Sequence, residues 1–229
     1  AGRVSPEELE TVPTAELLSE LKRRHQLLSR TPANIAVLGP PCVGKQTQAD
    51  ALRRAFGVCR ISAKDLSSAS SDEEAMQNVG LLLQRHQCRR GFVLDGFPTT
   101  VAQASRLEEE LTKQKKSLDA AIFLDAPQDV LLERCQGRLL HEASGRLYHD
   151  LHRTPLEKGI DDFTGENLVR PPFEDSKLKG QVERYQKDSN LLRQFFSKKK
   201  CHVRDVDATK GIDQVSAACL EPIAPGESE

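Results

Sequence analysis

Ile35-Ala36-Val37-Leu38, running straight into Gly39-Pro40-Pro41-Cys42-Val43-Gly44-Lys45-Gln46-Thr47, is the stretch that decides the fold. The apolar run follows Thr31, Pro32 and Asn34 and reads as a buried strand. It breaks directly into G-x-x-x-x-G-K, and a polar, helix-forming stretch at 48–55 comes next. Backbone N–H groups of such a loop, with the N-terminus of the following helix, form a nest for phosphate oxygens. Lys45 supplies the point charge on the β- and γ-phosphates. Placement between a strand and a helix separates this match from a chance one.

Working outward, four more short apolar runs have the same character, at 58–61, 92–94, 121–124 and 203–206. Helix-forming stretches at 101–111, 130–137 and 177–196 lie between them. Alternating short strands and helices predict an α/β fold with a parallel central sheet. Ahead of the first strand, Leu9, Leu17, Leu18, Leu21, Leu27 and Leu28 recur at helical spacing, so a leader helix is expected within 1–31. It either packs on its own domain or docks a partner. Residues 219–229, rich in Pro, Gly and Glu, are expected to be a flexible tail.

Acidic and basic residues number 34 and 33, which gives no reason to expect a nucleic-acid partner. With 38% hydrophobic and 29% charged residues the chain reads as globular rather than disordered. No apolar run approaches the ~20 residues needed to span a membrane. The six cysteines (Cys42, Cys59, Cys88, Cys135, Cys201, Cys219) form no C-x-x-C pair, so neither a disulfide scaffold nor a zinc ribbon is expected. A reducing intracellular compartment is the expectation, open between cytoplasm, mitochondrion and plastid. No signal peptide is visible, and a transit peptide already removed leaves no trace.

The loop followed by Gln48 resembles the G-x-P-G-x-G-K-G-T-Q loop of adenylate kinases. Other segments carry the likeness independently. Cys88-Arg89-Arg90-Gly91-Phe92-Val93-Leu94-Asp95-Gly96-Phe97-Pro98 resembles the family's C-x-x-G-[FW]-[ILV]-L-D-G-[FY]-P strand and turn. Arg134, Gly137, Arg138 and Ser144-Gly145-Arg146-Leu147-Tyr148-His149 resemble the start of its lid, and Ile160-Asp161-Asp162-Phe163-Thr164-Gly165-Glu166 its D-D-x-T-G-E turn. Val12-Pro13-Thr14 and Glu20-Leu21-Lys22-Arg23-Arg24 resemble the leader of plant-type long adenylate kinases.

This resemblance implies a P-loop kinase core at 32–218, with five parallel strands in the order 2-3-1-4-5, helices on both faces, a lid at about 138–176 and the ligand at the C-terminal strand ends. It implies that ATP and Mg²⁺ bind. Gly39, Gly44 and Lys45 would hold the phosphates, with Thr47 near phosphate and metal and Asp95 holding the metal's water shell. Arg134 would stack on adenine, and Arg138 and Arg170 would close on the phosphates. Phosphoryl transfer needs mainly alignment and charge neutralisation, so Lys45, Arg138 and Arg170 are the expected catalytic residues. In the lid, His141, Ser144, Asp161 and Thr164 fall at the spacing of the four zinc ligands of zinc-bearing members. Hydroxyls are poor zinc ligands, so the resemblance implies a hydrogen-bonded polar tetrad and no zinc.

The acceptor side departs from the pattern. Where the family has I-S-T-G-D-[ML]-L-R for AMP, this chain reads Ile61-Ser62-Ala63-Lys64-Asp65-Leu66-Ser67-Ser68. The Thr is Ala63 and the Arg is Ser68. A second AMP arginine after the F-P turn is replaced at Thr99-Thr100, and a third, beyond the lid, falls at Gln181, with Lys179 and Arg184 nearby. Pro171-Pro172 stands where part of a K-D-D run is usual. The acceptor segment, about 62–88, is shortened. Gly96 and Gln103, which match contacts to the AMP base, survive. Two lost charge-assisted contacts amount to about 10²–10⁴ in affinity. On the donor side, Cys42 and Gln46 replace glycines, at a cost of about 1 kcal/mol wherever φ > 0 is required. Cys42, beside a helix N-terminus, is either a reactive thiol of lowered pKa or an inert one.

Two functions therefore compete. One is a nucleoside monophosphate kinase catalysing ATP + AMP ⇌ 2 ADP, or using another acceptor. The other is an ATP-binding, weakly active or inactive relative serving as a structural or regulatory subunit of a larger assembly, and the acceptor losses favour it.

Overall fold

A computed structural model describes residues 13–29, 33–66, 71–199 and 201–221. Its centre is β1 (Asn34–Leu38), flanked in a parallel sheet by β3 (Phe92–Asp95) and β4 (Ala120–Asp125). Outside these lie β2 (Cys59–Ser62) and β7 (His202–Asp207), giving the spatial order β2-β3-β1-β4-β7. The expected five-stranded order is observed. The fifth sheet strand is seventh in the chain because β5 (Arg138–His141) and β6 (Arg146–His149) pair with each other as a separate antiparallel hairpin in the lid.

The inner strands are apolar at nearly every position because both faces are covered. Ile35, Ala36 and Val37 of β1 and Ala121 through Leu124 of β4 are fully buried. On one face, α2 (Lys45–Phe56) and α7 (Ile212–Leu220) contribute Ala49, Leu52, Phe56, Val215 and Cys219 to the core. On the other, α3 (Asp72–Leu83) and α4 (Val101–Lys113) contribute Met76, Val79, Leu83, Ala104, Leu107 and Leu111. Helix α5 (Gln128–Gln136) adds Leu131 to the first core. The long helix α6 (Asp175–Ser197) seals both, with Leu178 and Val182 in the first core and Leu192 and Phe196 in the second.

Three sequence expectations change. Residues 219–221 belong to the folded domain rather than to a tail: Cys219 is completely buried and Glu221 pairs with Arg204. Residues 222–229 lie outside the described residues. In the leader, α1 (Thr14–Ser29) forms, Leu17 is half-buried, and Leu18 and Leu21 are 53% and 61% exposed, so this part of the apolar stripe is uncovered. Leu9 and the side chains of Leu27 and Leu28 lie outside what is described.

The cysteines give the third correction. Four of the six pair, Cys42 with Cys135 and Cys59 with Cys88, against the expectation of free thiols. Spacing hid this because the sheet makes the neighbours: parallel pairing sets Cys59 of β2 beside Phe92 of β3, and Cys88 lies in the 3-10 turn just before that strand, although 29 residues separate the two cysteines. Cys201 and Cys219 stay free. Among the described residues no helix is long and apolar enough to cross a membrane.

Candidate functional site

The loop leaves β1 at Gly39 and enters α2 at Lys45. A Cβ on Gly39 would sit 2.9 Å from the Leu124 carbonyl oxygen, so only glycine allows the chain to pass β4 there. Gly44 adopts φ 101° to turn the loop into the helix. Cys42 holds φ 62°, a left-handed conformation, so the glycine-to-cysteine departure falls where it is costly. Gln46 lies inside α2, where a side chain carries no such cost. The Lys45 Nζ donates to the carbonyls of Gly39 at 2.8 Å and Pro40 at 2.6 Å. Burial lowers its pKa to about 8, with nearby Asp95 opposing the shift and Arg138 adding to it. Thr47 is exposed in the first turn of α2.

Two of the three expected donor-side arginines converge on the loop. Arg134, in the last turn of α5, donates to the Val43 carbonyl at 3.3 Å and the Ala208 carbonyl at 2.7 Å. Arg138 opens β5, near enough to Lys45 to lower its pKa, and its own pKa is lowered by burial. Arg170 is not brought there in this structure. It bonds to Asp150 at 2.7 Å and to the Gln136 carbonyl, bracing the base of the lid. Cys42 is no reactive thiol: the bridge to Cys135 welds the phosphate loop to the last turn of α5.

The acceptor side is satisfied from within. Gly96 follows β3, and its N–H donates to the Val37 carbonyl at 2.9 Å. Asp95, 8% exposed, accepts from Arg60 of β2 at 2.8 Å, and Arg60 also bonds to Asp50 of α2 at 3.1 Å. Thr99 stands where an AMP arginine is expected. Its N–H and its hydroxyl both donate to Gln103 Oε1 at 2.9 Å, which engages the side-chain oxygen of the residue expected to contact the AMP base. Ala63 opens a short 3-10 turn, Ala63–Leu66, and Ser67 and Ser68 lie outside the described residues. Past them the shortened segment holds helix α3, buried against α4 and capped by Ser71, whose Oγ accepts from the Glu74 N–H, and a 3-10 turn at His86–Cys88. Lys179, Gln181 and Arg184 are all exposed on α6.

In the lid the polar tetrad is hydrogen-bonded. His141 and Asp161 are 2% and 1% exposed, which demands partners for both. His141 Nδ1 and Ser144 Oγ are 2.6 Å apart, His141 Nε2 and Glu166 Oε2 2.5 Å, and Thr164 donates to Asp161 at 2.9 Å. Arg146 grips both Asp161 oxygens, at 2.8 and 2.6 Å, and Tyr148 donates to it at 3.0 Å. The Arg146 fork, against the opposing effect of burial, holds the Asp161 carboxyl well below the usual carboxylate range, helped by Thr164 and Tyr148.

A family model described as adenylate kinase matches residues 69–201. Adenylate kinase 4 of Oryza sativa subsp. japonica is 32% identical, over 91% of this chain and 95% of its own length. The chain belongs to the adenylate kinase family. Adenylate kinase 3 of the same plant is also 32% identical, over 83% of this chain and 88% of the relative. The adenylate kinase of Clostridium perfringens (strain 13 / Type A) is 30% identical, over 80% and 94%.

As an adenylate kinase family member, this chain carries site features that its motifs did not disclose. Arg60 lies inside a strand read as an apolar run; a charge flanked by Cys59 and Ile61 was the available signal. The Arg193 network on α6, which joins Asp125 at the end of β4 to Asp205 of β7 and stacks 4.5 Å over the Phe123 ring, had no signal in spacing.

Proposed function

We propose that this adenylate-kinase-like protein binds the donor nucleotide, ATP with its Mg²⁺, at the loop 39–47, and phosphorylates AMP weakly or not at all. The observation that carries this reading is the bond of Thr99 to Gln103. Where the family places a phosphate-clamping arginine, a neutral side chain folds back on the base reader.

The donor half fits a nucleotide. Among the described residues the Lys45 ammonium donates to the loop's own carbonyls, with Asp95 nearby, and its charge faces the place a phosphate would take. Gly44 and the N-terminus of α2 present backbone donors to the same place. Arg138 is close by, and Arg170 would come in only by leaving Asp150. The guanidinium of Arg134, held by the Val43 and Ala208 carbonyls, would stack on adenine. Mg²⁺ carried on the phosphates would screen their charge, with Thr47 and Asp95 the residues that would hold it through hydroxyl and water, Asp95 being bonded to Arg60. In the lid, the satisfied tetrad stands in place of a zinc ion. Elemental analysis showing stoichiometric zinc overturns that point.

The uncovered Leu18 and Leu21 on α1 support attachment to a protein partner as a subunit of a larger assembly. The second reading, an active kinase making 2 ADP from ATP and AMP, is favoured by the survival of Gly96 and Gln103 and by relatives named adenylate kinase. Calorimetric titration with Mg-ATP and then AMP, with ADP assayed in the same samples, separates the two. Mg-ATP binding with background ADP formation supports the first, and AMP-dependent turnover establishes the second.

A further inference from the structure

We infer that Cys135 is a positioning residue for the phosphate loop: through its disulfide to Cys42 it holds Cys42 in the left-handed conformation, so thiol–disulfide exchange at this pair sets the affinity for the donor nucleotide. The inference rests on the proposed binding of Mg-ATP at this loop.

Cys42 keeps φ 62° in a place where the family resemblance supplies a glycine. An L-residue with a Cβ is less stable in this conformation than glycine, and an unrestrained loop relaxes out of it. The bridge opposes that relaxation. It joins Cys42 to the last turn of α5 with a Cα–Cα separation of 5.6 Å across 93 residues of chain, so every loop conformation that carries Cys42 away from α5 is forbidden while the bond is closed. On the other side of the bridge, the neighbouring Arg134 touches the loop at the Val43 carbonyl, at 3.3 Å. With the disulfide open, that long hydrogen bond is a weak replacement. Backbone N–H groups flanking Cys42 contribute to the phosphate nest, so a flip of φ there turns donors away from the ligand. Both cysteines are half-buried rather than sealed, which leaves the bond open to a soluble thiol.

The exchange balances as an ordinary two-electron step. A thiolate of a dithiol reductant attacks one sulfur of the bridge, the S–S bond breaks through a mixed disulfide, and the second thiolate resolves it. Cys42 and Cys135 each gain a proton and the reductant leaves as its own disulfide. A small disulfide oxidant runs the step backwards.

The test is calorimetric titration of the full chain with Mg-ATP. The oxidised wild type binds, and Cys135→Ser, which keeps the Cys59–Cys88 bridge, binds about five- to thirtyfold more weakly, the equivalent of one left-handed residue. Cys42→Ser behaves like Cys135→Ser, and dithiol treatment shifts the wild type in the same direction. The double variant Cys42→Gly/Cys135→Ser recovers affinity to within about threefold of the oxidised wild type, because glycine adopts the conformation without help. A merely structural bridge predicts no such recovery. Unchanged affinity in Cys135→Ser, or a double variant as weak as Cys135→Ser, overturns the inference and leaves the donor site standing. Absence of Mg-ATP binding by the oxidised wild type overturns both.

Discussion

Arg60 reaches from β2 to Asp95 at the end of β3, its Nη2 donating to Oδ2 at 2.8 Å and its Nε to the same oxygen at 3.2 Å. The carboxylate proposed to hold a metal's water shell thus has a cationic hydrogen-bond partner. The Asp95 side chain is 9% exposed, so removing Arg60 takes away the cation hydrogen-bonded to a largely buried charge and leaves it only the nearby Lys45. Arg60→Ala is expected to lower unfolding stability by about 2–3 kcal/mol. In urea titrations the double variant Arg60→Ala/Asp95→Ala recovers part of that loss; equal losses in single and double variants would show that the pair does not couple. Freed from Arg60, Asp95 is also expected to widen the difference in affinity between Mg-ATP and metal-free ATP.

Lys45 is expected to make donor binding depend on pH. Burial lowers its pKa to about 8, so the free protein loses this positive charge as pH rises through that value. Bound phosphates favour the ammonium, so binding takes up a proton above about 8. Affinity for Mg-ATP is therefore expected to be flat below this value with respect to Lys45 and to fall above it, by a factor approaching ten per pH unit. Titration in buffers of different ionisation enthalpy at pH 9 reads the proton directly. Lys45→Ala abolishes both binding and uptake, and a pH-independent affinity between 7 and 9.5 contradicts the assignment.

Acceptor chemistry is open to restoration. Ser68→Arg with Thr99→Arg supplies two charge-assisted phosphate contacts and releases Gln103 from Thr99. AMP affinity is expected to rise by about 10²–10⁴, with ADP formation following. No rise in either shows that the shortened segment, with α3 buried against α4, leaves no room for the nucleotide.

Asp161 organises the lid, where the side chains of Arg146, Tyr148 and Thr164 all converge on it. Its pKa is depressed in the folded protein, so its contribution is fully present above the ordinary carboxylate value near 4 and is lost only as pH falls below that, toward its depressed value. Limited proteolysis is expected to leave the wild-type lid intact at pH 5. Asp161→Asn gives a cleavable lid at pH 7, while the cores built on β1 and β4 keep their cooperative unfolding. Equal protection of the two proteins refutes the role.

Much of this molecule was legible along the chain. Ile35-Ala36-Val37-Leu38 meeting Gly39 announces a strand, loop and helix because burial on both faces demands a continuous apolar run and close backbone passage demands glycine. The five sheet strands, the lid turn around Asp161 and the missing acceptor arginines follow from the same local rules and from ordered motifs. What escaped were pairings between distant residues. Cys42 and Cys135, Arg60 and Asp95, and Arg193 with Asp125 and Asp205 become neighbours only when parallel pairing and crossover helices set remote segments side by side. Periodicity reports which face a residue presents, not what it meets there. The sequence alone therefore determined the sheet, the phosphate loop and, through the family resemblance, which acceptor-side positions depart from the pattern. Tertiary structure alone decided that the loop is bolted to α5 and that Asp95 is paired with Arg60, because both depend on contacts that no local spacing encodes, whereas the Thr99–Gln103 bond spans only four residues at the start of α4.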